Sequence, residues 1–293
     1  MLSCRVRRLI VNADDFGLTR GVNRAIIEAH TRGIVTSTTL MANSAAFEDA
    51  VELARAYPTL GVGCHLMFVD GEPLLPAADV DSLIKAGGKF YQGIGSFAVR
   101  ALRGKLDAAQ IEAEAFAQIR KLQDAGIQVS HVDSHKHTHL FPPVLRPVLS
   151  AAQRCGVRAI RNPFGRVAFR MIASRPKLWK RYSQMGVLNA LSGKFARTVA
   201  KAGMITTDGS LGVAATGGLD DELFRLMMES LPEGTWEFVS HPGYNDAELD
   251  GIQTRLRESR ETELGLLTSD AARELIKSTQ IRLASFRDIS TEA

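Results

Sequence analysis

The chain has 293 residues, of which 45% are hydrophobic, so it can bury a large core as one barrel or as two smaller domains. Its charged fraction of 23% is ordinary for a globular protein. No run of eighteen apolar residues occurs, which excludes an ordinary membrane-spanning helix.

Short apolar segments rich in β-branched residues alternate along the chain with longer segments whose apolar residues have helical spacing. The predicted strands are Leu9–Ala13, Val35–Met41, Leu60–Leu66, Val129–Asp133, Val157–Ile160, Trp236–Ser240 and Ile281–Phe286. The predicted helices are Val22–Arg32, Ala46–Tyr57, Ala108–Ala125, Val144–Arg154, Asp220–Leu231 and Ser269–Ser278. Gly33 and Gly126 follow two of these helices, where a left-handed cap is expected. The alternation predicts an α/β fold with a mainly parallel sheet, and seven strands favour a distorted (β/α) TIM-like barrel.

The chain contains no repeat or linker that would divide it, so we expect a single domain over residues 1–293. Two insertions interrupt the alternation of strands and helices. Residues 70–103 are rich in Gly and Pro and are predicted to form a long loop over one end of the barrel. Residues 161–205 form the second insertion. Long insertions in compact domains are usually lids or binding loops.

The net charge of +4 hides a local excess of basic residues. Between Ser134 and Thr207 there are fourteen Lys and Arg and no acidic residue, whereas the rest of the chain has 22 basic and 32 acidic residues. The basic character therefore needs a local explanation. The first residues lack the apolar segment of a signal peptide and the three cysteines form no CxxC pair, so we expect a cytoplasmic protein with reduced thiols.

Several predicted strands end in polar side chains that can carry chemistry. These are Asp14 and Asp15 after the first strand, His65 on the third, Asp133 and His135 on the fourth, and His241 after the Trp236–Ser240 strand. In a (β/α) barrel, active sites are built at the C-terminal ends of the strands. We therefore predict the site at this rim.

The segment 131–139 has the sequence HVDSHKHTH and concentrates imidazoles around one carboxylate. If its backbone stays extended, the odd-numbered residues share a face. Imidazole and carboxylate are the ligands of hydrolytic zinc and related divalent-metal sites. We expect His135 to bind a metal, Asp133 to orient it or a neighbouring imidazole, and His131 to be a buried core residue. The alternative is a polar barrel interior without a metal.

The Asp14-Asp15 pair lies where the first strand ends and the chain turns, so both carboxylates can reach the rim. One can bind a metal while the other stays free as a base. Alternatively, one of them caps the following helix, since Asp is a favourable N-cap residue.

These motifs resemble the YdjC-like family, which includes chito-oligosaccharide deacetylases. The resemblance runs from residue 9 to about 265 and is carried by VNADDFG at 11–17, GCH at 63–65, DSHKH at 133–137 and SHPG at 240–243. It implies a distorted (β/α) barrel and a divalent metal, zinc or magnesium, held by Asp15, His65 and His135. It also implies Asp14 as the base and His241 as the acid. The segment GEPLLP at 71–76 and the basic insertion resemble the hopanoid-biosynthesis-associated branch of the family.

The activity implied by this resemblance is metal-dependent hydrolysis of the acetyl group from an N-acetylated sugar. Asp14 would take a proton from the attacking water, and His241 would protonate the departing amine. His137 and His139 are either substrate contacts or solvated loop residues. The charged residues after the last rim motif are expected first to form a solvated helix face; they are Arg257, Arg260, Glu261 and Glu263. Alternatively, one of them reaches into the site, but the spacing does not indicate which.

Other functions remain open at this level. Asp/His metal barrels also host phosphoesterases and sugar isomerases, and a non-catalytic glycan- or lipid-binding protein is a third possibility. A pure binder, however, does not need a base beside a metal. The basic tract has no accompanying nucleic-acid motif, so we expect no nucleic-acid partner.

The basic tract also predicts a glycolipid substrate at the inner face of a membrane. Its cations are interleaved with aromatic residues, as is typical of a membrane surface; they include Arg161, Arg166, Arg170, Arg175, Lys177, Lys180 and Arg181, with Phe164, Phe169, Trp179 and Tyr182. A following apolar stripe has helical spacing and consists of Val187, Leu188, Leu191, Phe195 and Val199. Alternatively, this stripe packs on the barrel or on a second subunit of a homodimer.

Overall fold

The computed structural model describes residues 6–165, 186 and 188–291. Seven strands are present in this part of the chain: β1 (Arg7–Phe16), β2 (Ser37–Leu40), β3 (Gly61–Leu66), β4 (Val132–Ser134), β5 (Gly209–Leu211), β6 (Gly234–Ser240) and β7 (Arg282–Ala284). All of their pairings are parallel, which confirms the predicted sheet type.

The sheet is curled into a distorted barrel. Its strands lie in the order β4-β3-β2-β1-β6-β5, and β7 pairs with the first half of β1. Beyond β4, Ile160 bridges to Val132, and Ala159 bridges to Ile205 just before β5. These two bridges continue the backbone pairing from β4 towards β5 and so bring the two ends of the sheet together. The predicted TIM-like architecture is confirmed, with the distortion concentrated at this weakly paired seam.

Eleven α-helices are described. They are α1 (Arg20–Thr31), α2 (Phe47–Ala56), α3 (Gly93–Leu102), α4 (Ala108–Asp124), α5 (Pro142–Arg154), α6 (Ser192–Lys201), α7 (Asp221–Glu229), α8 (Ala247–Asp250), α9 (Glu258–Thr268), α10 (Asp270–Ser278) and α11 (Phe286–Thr291). Side-chain caps define several of their starts: Thr19 accepts from the N–H of Val22, and Asp107 from those of Ala109 and Gln110.

The predicted strands and helices differ from the structure in several places, and α8 and α11 were not predicted. Val157–Ile160 pairs only through the two isolated bridges, and the three-residue strand β5 had no recognisable pattern. The first insertion, predicted as a loop, contains α3. Gly126 has a φ of +79° and ends α4 as expected, whereas Gly33 is not left-handed. A Cβ at Gly33 would instead lie 2.2 Å from the Leu267 carbonyl oxygen, so close packing requires glycine there.

The C-terminal ends of the parallel strands define one rim, and the predicted site residues lie there. The core beneath is formed by the buried apolar side chains of β1, β3 and β6 and of the surrounding helices. Among the described helices, none has the length and apolarity required to cross a bilayer.

Candidate metal centre and hydrolytic site

The end of β1 delivers two adjacent carboxylates to the same pocket. Successive residues of a strand point to opposite faces, but Asp15 adopts a φ of +69° and the pairing with β2 shifts its register between Ala13 and Phe16. Asp is among the residues that tolerate this left-handed conformation best. The irregularity turns both Asp14 and Asp15 towards the rim, and both are buried.

Asp15 Oδ1 is the centre of a candidate metal site. This buried oxygen has no hydrogen-bond partner among the described residues and lies 3.6 Å from His65 Nε2 and 3.4 Å from His135 Nδ1. Ligands at about 2.1 Å from a tetrahedral ion stand about 3.4 Å apart, so the spacing fits a divalent cation. The structure thus brings together the three residues predicted as ligands, and one carboxylate with two imidazoles fits hydrolytic zinc.

His65 is oriented by a second carboxylate. Its Nδ1 lies 2.7 Å from Asp133 Oδ1 and 3.1 Å from Thr39 Oγ1, which leaves Nε2 facing Asp15. Burial opposes a charge on His65, but Asp133, Asp14 and Asp15 raise its pKa to about 9. Carboxylate partners of this kind fix the ring and the tautomer of metal-binding histidines.

Asp14 lies close to His65, and a bidentate ion pair with Arg161 fixes its carboxylate. Arg161 donates to both of its oxygens, at 2.7 and 2.8 Å, and Asn12 donates at 2.9 Å. Burial alone would raise the pKa of Asp14, but the Arg161 guanidinium and the His65 imidazole hold it well below its ordinary range. Asp14 is therefore ionised at neutral pH.

Arg161 is the hub of a buried charge cluster. Besides Asp14 it pairs with Asp133 and donates from Nε to Glu237 at 2.8 Å, and the Arg161 side chain is fully buried. Burial raises the pKa of Glu237 to about 7, with Arg161 opposing the shift and Asp14 and Asp133 adding to it. Assigning Arg161 to a membrane surface was wrong, because its charge is neutralised inside the barrel.

A second buried arginine supports Asp15. Arg260 of α9 donates to Asp15 Oδ2 at 2.6 Å, which leaves Oδ1 as the free oxygen. Glu263 of the same helix is also buried and accepts from the N–H of His241 at 2.6 Å. The prediction of a solvated face was therefore wrong for Arg260 and Glu263, whereas Arg257 and Glu261 keep contact with solvent.

His241 lies beside Asp14 at the rim. Its Nε2 is 3.8 Å from Asp14 Oδ2, and its side chain is 12% exposed. A ring that is partly open to solvent and close to the candidate base can exchange a proton with a bound substrate.

The segment after β4 is not extended, so its odd-numbered residues do not share a face as predicted. Residues 135–140 form a 3₁₀ segment in which Lys136 and His137 both have a φ of +53°. His139 is buried between Ser134 Oγ, at 2.6 Å, and the Arg161 carbonyl oxygen, at 3.2 Å, so it is neither solvated nor open to substrate.

Two other histidines of this segment have distinct environments. His131 is buried, bonds Ser130 Oγ at 2.9 Å and stacks on Phe286 with ring centroids 3.7 Å apart, which confirms its core position. A Cβ on Gly63 would lie 2.4 Å from the His131 ring, which explains the glycine two residues before His65. His137 is half-buried, and burial lowers its pKa to about 3.

Asp70 is a site neighbour that sequence reasoning missed. Its Oδ2 lies 3.8 Å from His135 Nε2 and 2.5 Å from Lys136 Nζ, and its Oδ1 accepts from the N–H of Gly93. Asp70 thus lies near the ring nitrogen of His135 that faces away from Asp15, at 3.8 Å, which is longer than the 2.7 Å contact of Asp133 with His65. Its position after β3 was the available signal, since the rim continues into that loop.

The second insertion is described only in part. Phe195 and Val199 of the predicted apolar stripe are buried, as is Phe164, and Phe195 packs against Phe164 with ring centroids 5.5 Å apart. The stripe therefore packs on the barrel at these positions, so a bilayer-facing helix was the wrong alternative for them. Most of the predicted membrane-contacting residues lie outside the described residues; they are Arg166, Phe169, Arg170, Arg175, Lys177, Trp179, Lys180, Arg181, Tyr182 and Val187.

The protein is a distorted (β/α) barrel with a candidate hydrolytic metal site at its rim. The site consists of one carboxylate and two imidazoles, with a second aspartate beside them. The chain belongs to the YdjC-like protein family, whose model matches residues 8–278. It is 34% identical to a carbohydrate deacetylase from Brevibacillus brevis over 284 residues, which are 96% of this chain and 99% of that protein. A carbohydrate deacetylase from Oceanobacillus iheyensis is 32% identical, with 89% and 96% of the two chains covered.

Among solved structures, one from Enterococcus faecalis superposes with a TM-score of 0.76 at 28% identity, covering 97% of this chain and 99% of that one. The Enterococcus protein is described as one proposed to cleave cellobiose phosphate. The similarity along nearly the whole of both chains agrees with the barrel described above.

Proposed function

We propose that this protein is a divalent-metal-dependent hydrolase that removes the acetyl group from an N-acetylated sugar. The observation that carries the proposal is the free, buried oxygen of Asp15 facing two imidazole nitrogens, with the ionised Asp14 carboxylate beside them. The two carbohydrate deacetylases, aligned over nearly the full length, support the sugar substrate and the reaction class.

Asp15, His65 and His135 would hold the metal, zinc or magnesium, and the two nitrogen ligands favour zinc. When bound, such an ion polarises a carbonyl group and lowers the pKa of water. Arg260 hydrogen-bonds Oδ2 of Asp15, and Asp133 hydrogen-bonds Nδ1 of His65. These contacts orient Asp15 Oδ1 and His65 Nε2 towards one point.

Asp14 acts as the base in this proposal. Arg161 and Asn12 hold its carboxylate in one orientation, and its lowered pKa keeps it ionised and able to accept a proton from the attacking water. The same low pKa means that Asp14 holds that proton only weakly. His241 Nε2, 3.8 Å from Asp14 Oδ2, is placed to deliver a proton to the sugar nitrogen as the C–N bond breaks, giving acetate and a free amine.

A sugar phosphoesterase is the second candidate, since the Enterococcus faecalis protein is described as one that acts on cellobiose phosphate. Besides any metal ion, phosphate recognition commonly uses Arg or Lys side chains that are free to bind it. Of the cations described at this rim, Arg161 and Arg260 are committed to buried carboxylates and Lys136 to Asp70. This arrangement favours the neutral acetamido group as the substrate group.

The finer substrate that we propose is a glycolipid, the N-acetylglucosaminyl headgroup of a hopanoid. It is supported by the resemblance of residues 71–76 to the hopanoid-associated branch and by the acid-free tract between Ser134 and Thr207. Arg161 is buried, so this residue of the tract does not support a membrane contact. The lipid part of the proposed substrate therefore needs a test that is independent of the sugar.

The reaction class is tested with metal-loaded protein and a panel of N-acetylglucosamine conjugates and sugar phosphates. We expect acetate release from the conjugates and no phosphate release. Phosphate release without acetate would contradict the proposal and favour the phosphoesterase.

A further inference from the structure

Exposed apolar side chains are concentrated on one helix of the first insertion. Among the described residues, four large hydrophobic side chains are exposed: Val6, and on α3 Ile94 (37%), Val99 (46%) and Leu102 (83%). At about 100° per residue, these three positions of α3 fall within an arc of about 140°. Clustered exposed apolar surface of this kind marks an interaction site.

The helix itself is firmly anchored by its other face. Phe97 and Ala101 are buried, and the Phe97 ring packs on Phe141 with centroids 6.1 Å apart. The apolar arc is therefore presented to solvent by a packed helix. Its exposure is not a consequence of a loosely attached segment.

Basic residues surround this arc. Residues 82–106 contain five Lys and Arg and no Asp or Glu, and of these cations Lys89 pairs with Glu72 at 2.8 Å. Arg103 and Lys105 are exposed just after the helix, and Arg100 lies over the Tyr91 ring at 4.3 Å. An apolar arc followed by the exposed cations Arg103 and Lys105 is complementary to an anionic lipid surface.

The beginning of α3 is tied to the candidate site. The N–H of Gly93 donates to Asp70 Oδ1 at 2.8 Å, and Asp70 Oδ2 is 3.8 Å from His135 Nε2. A ten-residue helix is about 15 Å long, so Leu102 at its far end remains near the rim. A sugar headgroup on a bilayer that contacts this helix would lie close to the site.

The same basic and apolar character continues beyond the helix. Leu106 lines a groove of about 420 Å³ together with Leu140 and Phe195, and Arg146 and Lys194 are also in its wall. The surface next to α3 therefore adds cations and apolar contacts, and no carboxylate lines this groove among the described residues.

We propose that the apolar arc of α3, with Arg103 and Lys105, docks the protein on an anionic bilayer. The proposal deepens the proposed function and rests on its glycolipid substrate. A second copy of the chain is a poorer occupant, because a two-fold interface about this helix would bring Arg103 and Lys105 close to the same cations of the other copy. On a membrane, the same cations face lipid phosphates and the apolar side chains reach the acyl boundary.

Vesicle flotation tests the surface directly, using phosphatidylcholine vesicles with and without about one third phosphatidylglycerol. We expect the wild type to bind only the anionic vesicles and to dissociate as salt is raised. Leu102→Ser should lower the partition coefficient on the order of tenfold. Arg103→Gln and Lys105→Gln should each lower it about fivefold. Val6→Ser is the matched control, because Val6 is exposed but lies before β1 at the opposite end of the barrel.

The docking surface and the proposed function can be contradicted independently of each other. Equal vesicle binding by Leu102→Ser and Val6→Ser, or no binding by the wild type, would overturn the docking surface. A dimer that dissociates on Leu102→Ser in sedimentation would also overturn it, in favour of a second copy. Leu102→Ser should still release acetate from a soluble N-acetylglucosaminide at the wild-type rate. Vesicle binding by a wild type that releases no acetate would support the surface and contradict the proposed function.

Discussion

Replacing Glu237 by Gln should make the protein more stable at alkaline pH. Glu237 shares the buried Arg161 guanidinium with Asp14 and Asp133, so three carboxylates compete for one cation. Glutamine keeps the size and the acceptor oxygen of Glu237 but cannot become charged. The substitution therefore removes the cost of ionising a third buried acid.

The size of the effect follows from the pKa of Glu237, which burial raises from 4.5 to about 7. Arg161 opposes this shift but does not cancel it. A raised carboxyl pKa stabilises the fold fully below about pH 4.5, and this stability is lost as the pH rises through about 7. The shift corresponds to about 3 kcal/mol. Glu237→Gln should therefore exceed the unfolding free energy of the wild type by less than about 1 kcal/mol near pH 5 and by about 3 kcal/mol above pH 8.

Urea unfolding of chelator-treated protein at several pH values between about 5 and 9 measures this difference. Glu233→Gln is the control, because Glu233 is exposed just before the same strand and should show no such pH dependence. A difference between Glu237→Gln and the wild type that does not change with pH would refute the reasoning. So would a variant that loses stability relative to the wild type as the pH rises.

Three further predictions concern the site. Asp14→Asn should retain bound metal but lower the rate of acetate release by roughly two to four orders of magnitude, as measured by steady-state kinetics with metal analysis; metal loss here but not in Asp15→Asn would reverse the two roles. His65→Ala should lose metal and activity together while circular dichroism stays native, and wild-type metal content would contradict its assignment. Asp70→Asn should weaken metal binding about 10- to 100-fold in calorimetry, with exposed Glu72→Gln as control, and an unchanged affinity would exclude Asp70 as a positioning residue.

The rim residues could be predicted because they depend on simple rules of parallel sheets. Polar residues at the ends of apolar strands meet at one edge, which predicts the rim set of Asp14, Asp15, His65, Asp133, His135 and His241. The choice of Asp15, His65 and His135 as ligands comes from the family resemblance. The His131–His139 segment shows the limit of this reasoning. Alternation along a strand holds only while the backbone is extended, and two consecutive left-handed residues end it at Lys136.

The two buried arginines could not be predicted from local pattern. Arg161 and Arg260 are 147 and 245 residues from the aspartates they contact. Charged residues on a helix such as α9 are usually exposed, and only tertiary packing shows which of them has a buried partner. Helix α3 was missed for a different reason, because Gly93 and Gly95 make its first turn similar to a loop.

The most direct test of the central claim is to strip the protein with a chelator and return zinc or magnesium in measured steps. Bound metal and acetate release from an N-acetylglucosaminide are followed in the same samples. We predict that activity disappears on stripping and returns in proportion to occupancy, reaching its maximum at one ion per chain. Acetate release that persists in the metal-free protein would contradict the assignment of Asp15, His65 and His135 as the metal site.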